Sequence, residues 1–301
     1  MTFFIVAMLL LAALGYLAQT TGLCMVRGVH EAVKGRPLFL LAVVFSGSFT
    51  WVSALIALVM EIPVPFISYE VTFLALAGGI LFGFGAAFNN GCGVSTISKL
   101  ARGQSVMLAT IAGWLAGWVL LTVFMPTQQV ARFHISPEWH YSILSLVSVV
   151  ILIFLTRLRA SDRRLWFSML AVGLMASIVF LYEPKWTPSS LLKDLSLAFW
   201  THDQSRWPSL ERFMLMAALI GGMVLAALWT HSFKLEVSGW HSYSRHLFAG
   251  ILMGVGAAIA SGGNDSQLLL ALPALSPAGG VTVASMLVGI YIGRRVFIQP
   301  I

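Results

Sequence analysis

The stretch Gly79–Gly91, which reads GILFGFGAAFNNG, recurs as Gly250–Gly262, which reads GILMGVGAAIASG. Eight of the thirteen positions are identical, and the offset between the copies is a constant 171 residues. Each copy ends where polar residues and glycine interrupt an apolar run. Paired helix breaks of this kind are typical of membrane proteins built from inverted repeats.

The composition predicts a membrane protein. Hydrophobic residues make up 58% of the 301 residues and charged residues only 10%, whereas a soluble domain carries about 25% charge. Apolar runs of about 20 residues can cross the roughly 30 Å of bilayer hydrocarbon as helices. We predict an all-α polytopic protein with nine such runs, at about 2–17, 38–60, 71–88, 105–124, 140–156, 165–182, 211–231, 246–260 and 280–296.

The distribution of basic residues predicts the orientation and the domain organisation. With nine spans, 13 of the 18 Lys and Arg residues fall on one side and 5 on the other, and cytoplasmic loops carry the excess. The N-terminus is therefore expected outside and the C-terminus in the cytoplasm. An odd span between two four-span units inverts the second unit, which gives a first repeat at 1–124, a linker span at 125–164 and an inverted repeat at 165–301. The net charge of +7 is explained by this topology and by anionic lipids, without a nucleic-acid partner.

The two interruptions are the candidate binding segments. Glycine-rich breaks at membrane depth free backbone N–H and C=O groups, which is tolerated where the segment lines a polar pathway. The helix that restarts after each break presents N–H donors that favour an anion. Ordinary turns outside the membrane are the alternative. The candidate residues are Asn89, Asn90, Gly91, Cys92 and Gly93 in the first break and Gly262, Gly263, Asn264 and Asp265 in the second.

The chain has two cysteines, Cys24 and Cys92, and each lies in an interruption between apolar runs. Arg27 follows Cys24 by about one helical turn, and a nearby cation makes a thiol more reactive. A free cysteine that packs as a small apolar residue is the alternative. Both cysteines fall on the predicted cytoplasmic side, where thiols stay reduced, so no structural disulfide is expected.

Other motifs are weak. No histidine pair has metal-ligand spacing and no cofactor fingerprint occurs in a suitable context, so neither a metal nor a cofactor is predicted. The prolines of the loop 183–209 flank an amphipathic stretch at 191–200, which we interpret as an interfacial helix on the outer surface. Trp114 and Trp118 lie one turn apart in the fourth run and are expected to pack rather than to line a pathway.

The segment Gly79–Arg102, with Gly-x-Gly-Ala-Ala before Asn90-Gly91-Cys92-Gly93, resembles the central motif of the YeeE/YedE sulphur-transport family. Gly15–Arg27 and Gly250–Pro277 resemble the first-span and second-half motifs of that family. The resemblance implies a nine-span, hourglass-like carrier that passes thiosulfate along a row of cysteine thiols, two of which match Cys24 and Cys92. A third would be expected near Gly262–Asp265, where this chain has none. Asp265 would repel a dianion, so it is expected to cap the short helix that follows.

Two functions follow from these observations. The first is an inner-membrane transporter, not an enzyme, for a small sulphur-containing anion such as thiosulfate, with the lipid bilayer as its surroundings. The second is a membrane-embedded sulphur-transfer or redox protein, in which Cys92 carries a persulfide that is handed to a cytoplasmic sulfurtransferase.

Overall fold

The computed structural model describes residues 2–124 and 130–297, which form helices joined by short connections and no β-strand. A 3₁₀ turn, Ser46–Phe49, joins α3 to α4, and a π-helical turn, Gln267–Ala271, follows α13 directly. The helices are α1 Thr2–Thr21, α2 Met25–Val33, α3 Leu38–Val44, α4 Thr50–Val59, α5 Phe73–Phe88, α6 Gly93–Ala101, α7 Met107–Phe124, α8 Pro137–Thr156, α9 Ala160–Tyr182, α10 Pro188–Thr201, α11 Leu210–Trp229, α12 Trp240–Ile259, α13 Asn264–Ser266 and α14 Pro277–Phe297.

The predicted all-α, multi-pass architecture is confirmed. Within the described residues, eight helices or nearly continuous helix pairs are long and apolar enough to cross a membrane, and the pair formed by α12 and 264–271, bent by 47°, makes a ninth. Each of the nine predicted runs overlaps one of these segments. The predicted run 38–60 is itself broken, because the hydroxyls of Ser46 and Ser48 bond back to the carbonyls of Val43 and Phe45 at 2.8 and 2.7 Å, a pattern that bends helices.

Local sequence explains where several helices begin. The side chains of Thr72 and Ser136 accept hydrogen bonds from backbone N–H groups in the first turns of α5 and α8. Thr187 does the same for α10, where Pro188 occupies the first helical position. Such N-caps stabilise a helix by about 1 kcal/mol each, and proline fits the first turn because no N–H is needed there.

The repeated glycines hold the two parts of the chain together. Helix α5 packs against α12 and α14, and α7 packs against α12. A side chain at Gly83 would collide with the backbone of Met286 in α14, and one at Gly254 would collide with the backbone of Trp114 in α7. Membrane helices approach this closely only where small residues form the interface. Gly83 and Gly254 are 171 residues apart, so they are equivalent positions of the two repeated segments. The contacts are reciprocal, because each glycine packs against the final long helix of the other part of the chain, Gly83 against α14 and Gly254 against α7.

The helices α1–α7 and α9–α14 follow a similar order, with α8 between the two sets, except that α3 and α4 in the first set correspond to the single helix α11 in the second. A long helix followed by a short one opens each set, as α1 with α2 and α9 with α10. Each set also contains a broken pair, α5 with α6 and α12 with α13, before a final long helix. The division at 1–124, 125–164 and 165–301 remains a prediction, and 125–129 lie outside the described residues.

Candidate functional site

The first break is held in shape by Asn89. Its amide nitrogen donates to the carbonyl of Gly91 and to the hydroxyl of Thr96, both at 2.9 Å. Its amide oxygen accepts from the hydroxyl of Thr110 on α7 at 2.8 Å and lies 2.6 Å from Nδ1 of His246 on α12. Asn89 is fully buried, so it fixes the backbone of the break, and both polar atoms of its side chain already have protein partners.

The remaining residues of the first break turn the chain into α6. Asn90 adopts a left-handed conformation with φ of 54° and is exposed, whereas Gly91 is buried. Cys92 is the N-cap of α6 and Gly93 its first residue. A side chain at Gly93 would meet the ring of Trp114, so α6 begins pressed against α7.

The structure brings the two cysteines to one place. Cys24 is the N-cap of α2, as Cys92 is of α6, and both thiols are free and buried. The hydroxyl of Ser95 lies between them, 3.3 Å from Sγ of Cys24 and 3.7 Å from Sγ of Cys92. Two helix N-termini, two thiols and one hydroxyl therefore converge, which is a group of weak hydrogen-bond donors suited to an anion.

Cys24 and Ser95 line a basic cavity of about 490 Å³, and the thiol of Cys92 is buried next to Ser95. The described residues that line the cavity include no carboxylate. Lys99 donates to the carbonyl of Asn90 at 2.8 Å, and Arg27 forms an ion pair with Glu31 at 2.7 Å. The positive field of such a cavity concentrates anions at its inner end. We call this cavity the vestibule, and its cationic side chains are Arg27, Lys99, Arg102 and Arg294.

The second break lies against the first. The side-chain oxygen of Asn264 accepts a hydrogen bond from the backbone N–H of Gly93 at 3.0 Å. A side chain at Gly263 would meet the same Trp114 ring that confines Gly93. Gly262 and Gly263 are both buried. Nine of the ten predicted site residues thus fall in two neighbouring segments, and the tenth, Cys24, contacts Ser95 just after the first of them.

Asp265 differs from the expectation that it caps its own helix. Its Oδ2 accepts from the backbone N–H of Ser189 at 2.8 Å, so it caps the first turn of α10. The stretch 191–200 lies within α10 as the predicted helix, and its place at the outer surface stays a prediction. The N-terminal turns of α10 are buried and pack against α7 and α13, since an amphipathic face can be covered by protein as well as by lipid headgroups.

Sequence reasoning missed Ser95, and the repeat contains the signal for it. Adding the offset of 171 to Ser95 gives Ser266, whose hydroxyl lies 3.2 Å from that of Ser189. The same offset relates Asn90 to Ser261, which has a similar φ of 59°. The two breaks therefore share their backbone geometry and one serine, while their other side chains differ.

Comparison with known proteins agrees with the geometry. Residues 153–292 match the family model described as Sulphur transport. No curated protein matches the chain. The matched region begins in α8 and ends in α14, so it contains the second break and Ser189. The resemblance found in the motifs around Cys92 is thereby confirmed from the other part of the chain, because the matched stretch is similar to the sulphur-transport family.

Proposed function

We propose that the protein imports a small sulphur-containing anion, with thiosulfate as the first candidate, through the constriction formed by Cys24, Ser95 and Cys92. The observation that carries this proposal is that Cys24 and Ser95 line the vestibule, with the buried thiol of Cys92 3.7 Å from the hydroxyl of Ser95. The terminal sulfur of thiosulfate is soft and polarizable, and a thiol offers it a weak S–H donor and a polarizable contact. Sulfate has only oxygen atoms to present.

The vestibule supplies the electrostatic part of recognition. A dianion loses its hydration in a narrow passage, and cations or oriented N–H groups must replace that hydration. The N-termini of α2 and α6 provide oriented N–H groups beside the thiols, and the four cations of the vestibule provide charge. Neither provision selects for sulfur, so the thiols carry the selectivity.

The proposal places the protein in a bacterial inner membrane as two inverted repeats, with the vestibule open to the cytoplasm. Its support is the excess of basic residues on the vestibule side and the reciprocal packing of the repeated glycines. A reporter fused to the C-terminus should be active only in the cytoplasm. Activity of that reporter outside the cytoplasm would contradict the orientation.

The test is uptake of radiolabelled thiosulfate by the purified protein in liposomes. We expect saturable uptake that unlabelled thiosulfate suppresses and equimolar sulfate does not. Arg206→Gln is a suitable control variant, because Arg206 lies in an exposed loop and pairs only locally with Asp203 at 3.3 Å. Uptake no faster than in empty liposomes would contradict transport, and a persulfide detected on Cys92 in that case would favour the sulphur-transfer alternative.

A further inference from the structure

A small chamber of about 30 Å³ lies beside the second break. Leu14 of α1, Val94 of α6 and Leu219 of α11 contribute to its mostly apolar wall, and Asn264 and Asp265 also line it. The chamber therefore lies among elements from both parts of the chain. Its volume suits one water molecule, because a water needs about 10–15 Å³ of this kind of space.

Three polar atoms of residues that line the chamber have no hydrogen-bond partner among the described residues. They are Oδ1 of Asp265, Nδ2 of Asn264 and Nε1 of Trp186, and all three are buried. Leaving such atoms unpaired is costly. The carboxylate oxygen needs a donor, and the two N–H groups need an acceptor. A water molecule can be both, whereas a bare metal cation would serve the carboxylate and face the two N–H groups unfavourably.

Asp265 has no charged neighbour in this chamber. Among the described residues that line it, Ser46 before α4, Val172 of α9 and Met223 of α11 are neutral, as are the facing residues of α1 and α6. On α10 the contact is the backbone N–H of Ser189. At the start of α6 the titratable group is Cys92, whose neighbour Gly93 is hydrogen-bonded to Asn264. A lone ionisable residue within a membrane protein is a candidate for function.

We propose that Asp265, together with one water in this chamber, is the binding site for a proton that crosses the membrane with the sulphur-containing anion. The inference rests on the proposed transport function. The carboxylate takes up one proton from the outer solution to become a carboxylic acid, and it releases the same proton toward the cytoplasm. Only one O–H bond forms and breaks.

Electrostatic repulsion explains why binding of the proton and binding of the anion favour each other. Asn264, the neighbour of Asp265, is hydrogen-bonded to Gly93, the neighbour of Cys92. A dianion at the thiols and a carboxylate at Asp265 repel each other across a poorly solvated space. A proton on Asp265 removes that repulsion, so the proton favours binding of the anion. By linkage, the anion favours binding of the proton to the same extent.

The test measures proton movement and thiosulfate movement in the same liposomes, with a pH-sensitive dye inside. For the unaltered protein we expect an inward thiosulfate gradient to acidify the interior. Asp265→Asn keeps the size and the acceptor for Ser189 but cannot ionise. It should retain exchange of labelled for unlabelled thiosulfate and lose proton movement at least about 10-fold. Asp265→Glu should restore part of the proton movement.

Asp203→Asn is the matched control, because Asp203 is a loop carboxylate whose side chain is 42% exposed, and it should behave as the unaltered protein does. Thiosulfate uptake without acidification by the unaltered protein would overturn the proton site and leave the proposed function intact. Unchanged proton movement in Asp265→Asn would also overturn the proton site. So would an Asp265→Asn protein that is folded but does not exchange labelled for unlabelled thiosulfate. If that variant does not fold, Asp265→Thr keeps an acceptor for Ser189 and is judged by the same outcomes. Absence of uptake by the unaltered protein would instead contradict transport itself.

Discussion

The two helix breaks have the same backbone and different chemistry. Asn90 and Ser261 both turn the chain with positive φ, and Ser95 and Ser266 occupy equivalent places in the short helices that follow. In the first break the serine lies between two thiols at the end of a basic cavity. In the second it meets another serine beside a buried carboxylate. The comparison teaches that the same backbone and glycine packing can hold different side-chain chemistry in the two breaks.

The largest expected effect is on folding, and it comes from the close helix packing at the glycines that precede both breaks. Gly83→Leu and Gly254→Leu should each prevent recovery of folded protein, because each side chain would collide with the backbone of a partner helix. Overpacking costs about 1–3 kcal/mol where neighbours can move, and backbone cannot move as side chains do. The same effect is expected for Gly85 and Gly256, and the measurement is detergent-solubilised yield with size-exclusion chromatography.

Gly221→Leu is the control for these variants, since nothing lies within 4 Å of a side chain added there and the position is exposed on α11. It should be recovered at the level of the unaltered protein. Normal yields of Gly83→Leu and Gly254→Leu would mean that the repeated glycines do not form the interface between the two parts of the chain.

A smaller effect, on uptake, is expected from removing positive charge from the vestibule, which adjoins the first break. Lys99→Gln combined with Arg102→Gln removes two of its four cations. Thiosulfate uptake at low concentration and low salt should fall about 10-fold, because such fields raise the local anion concentration by at least that much. Uptake by the unaltered protein should fall toward that of the variant as salt is added. If salt reduced uptake by the double variant as much as it reduces uptake by Arg206→Gln, the result would count against a role of the vestibule cations.

The smallest effect separates the two equivalent serines. Ser95→Ala should slow thiosulfate uptake about 2- to 10-fold, which corresponds to the roughly 0.5–1.5 kcal/mol of one net hydrogen bond. Ser266→Ala should slow it less, since its hydroxyl meets Ser189 and no thiol. Initial rates for the two variants, each at matched amounts of folded protein, provide the comparison. Equal losses would indicate that the serines act through packing alone.

Much of this arrangement is predictable from the sequence. Apolar length predicts the spans, and the offset of 171 predicts that Cys92 and Gly263 lie in equivalent breaks. The position of α10 is not predictable in the same way, because its amphipathic pattern shows which face avoids water and not what covers that face. The partner of Asp265 was missed for the same reason, since its hydrogen bond to Ser189 spans 76 residues. Ser95 was detectable, as it lies one turn from Cys92 and repeats as Ser266.

The most direct test of the central claim is thiosulfate uptake by Cys92→Ser and by the Cys24→Ser/Cys92→Ser double variant in liposomes. Serine keeps the size and a donor but lacks the soft sulfur atom. The account predicts that Cys92→Ser is folded, with thermal stability close to that of the unaltered protein, and takes up no more thiosulfate than empty liposomes. Cys24→Ser should lose less. Full uptake by the double variant would contradict the account, because the anion would then pass without any thiol.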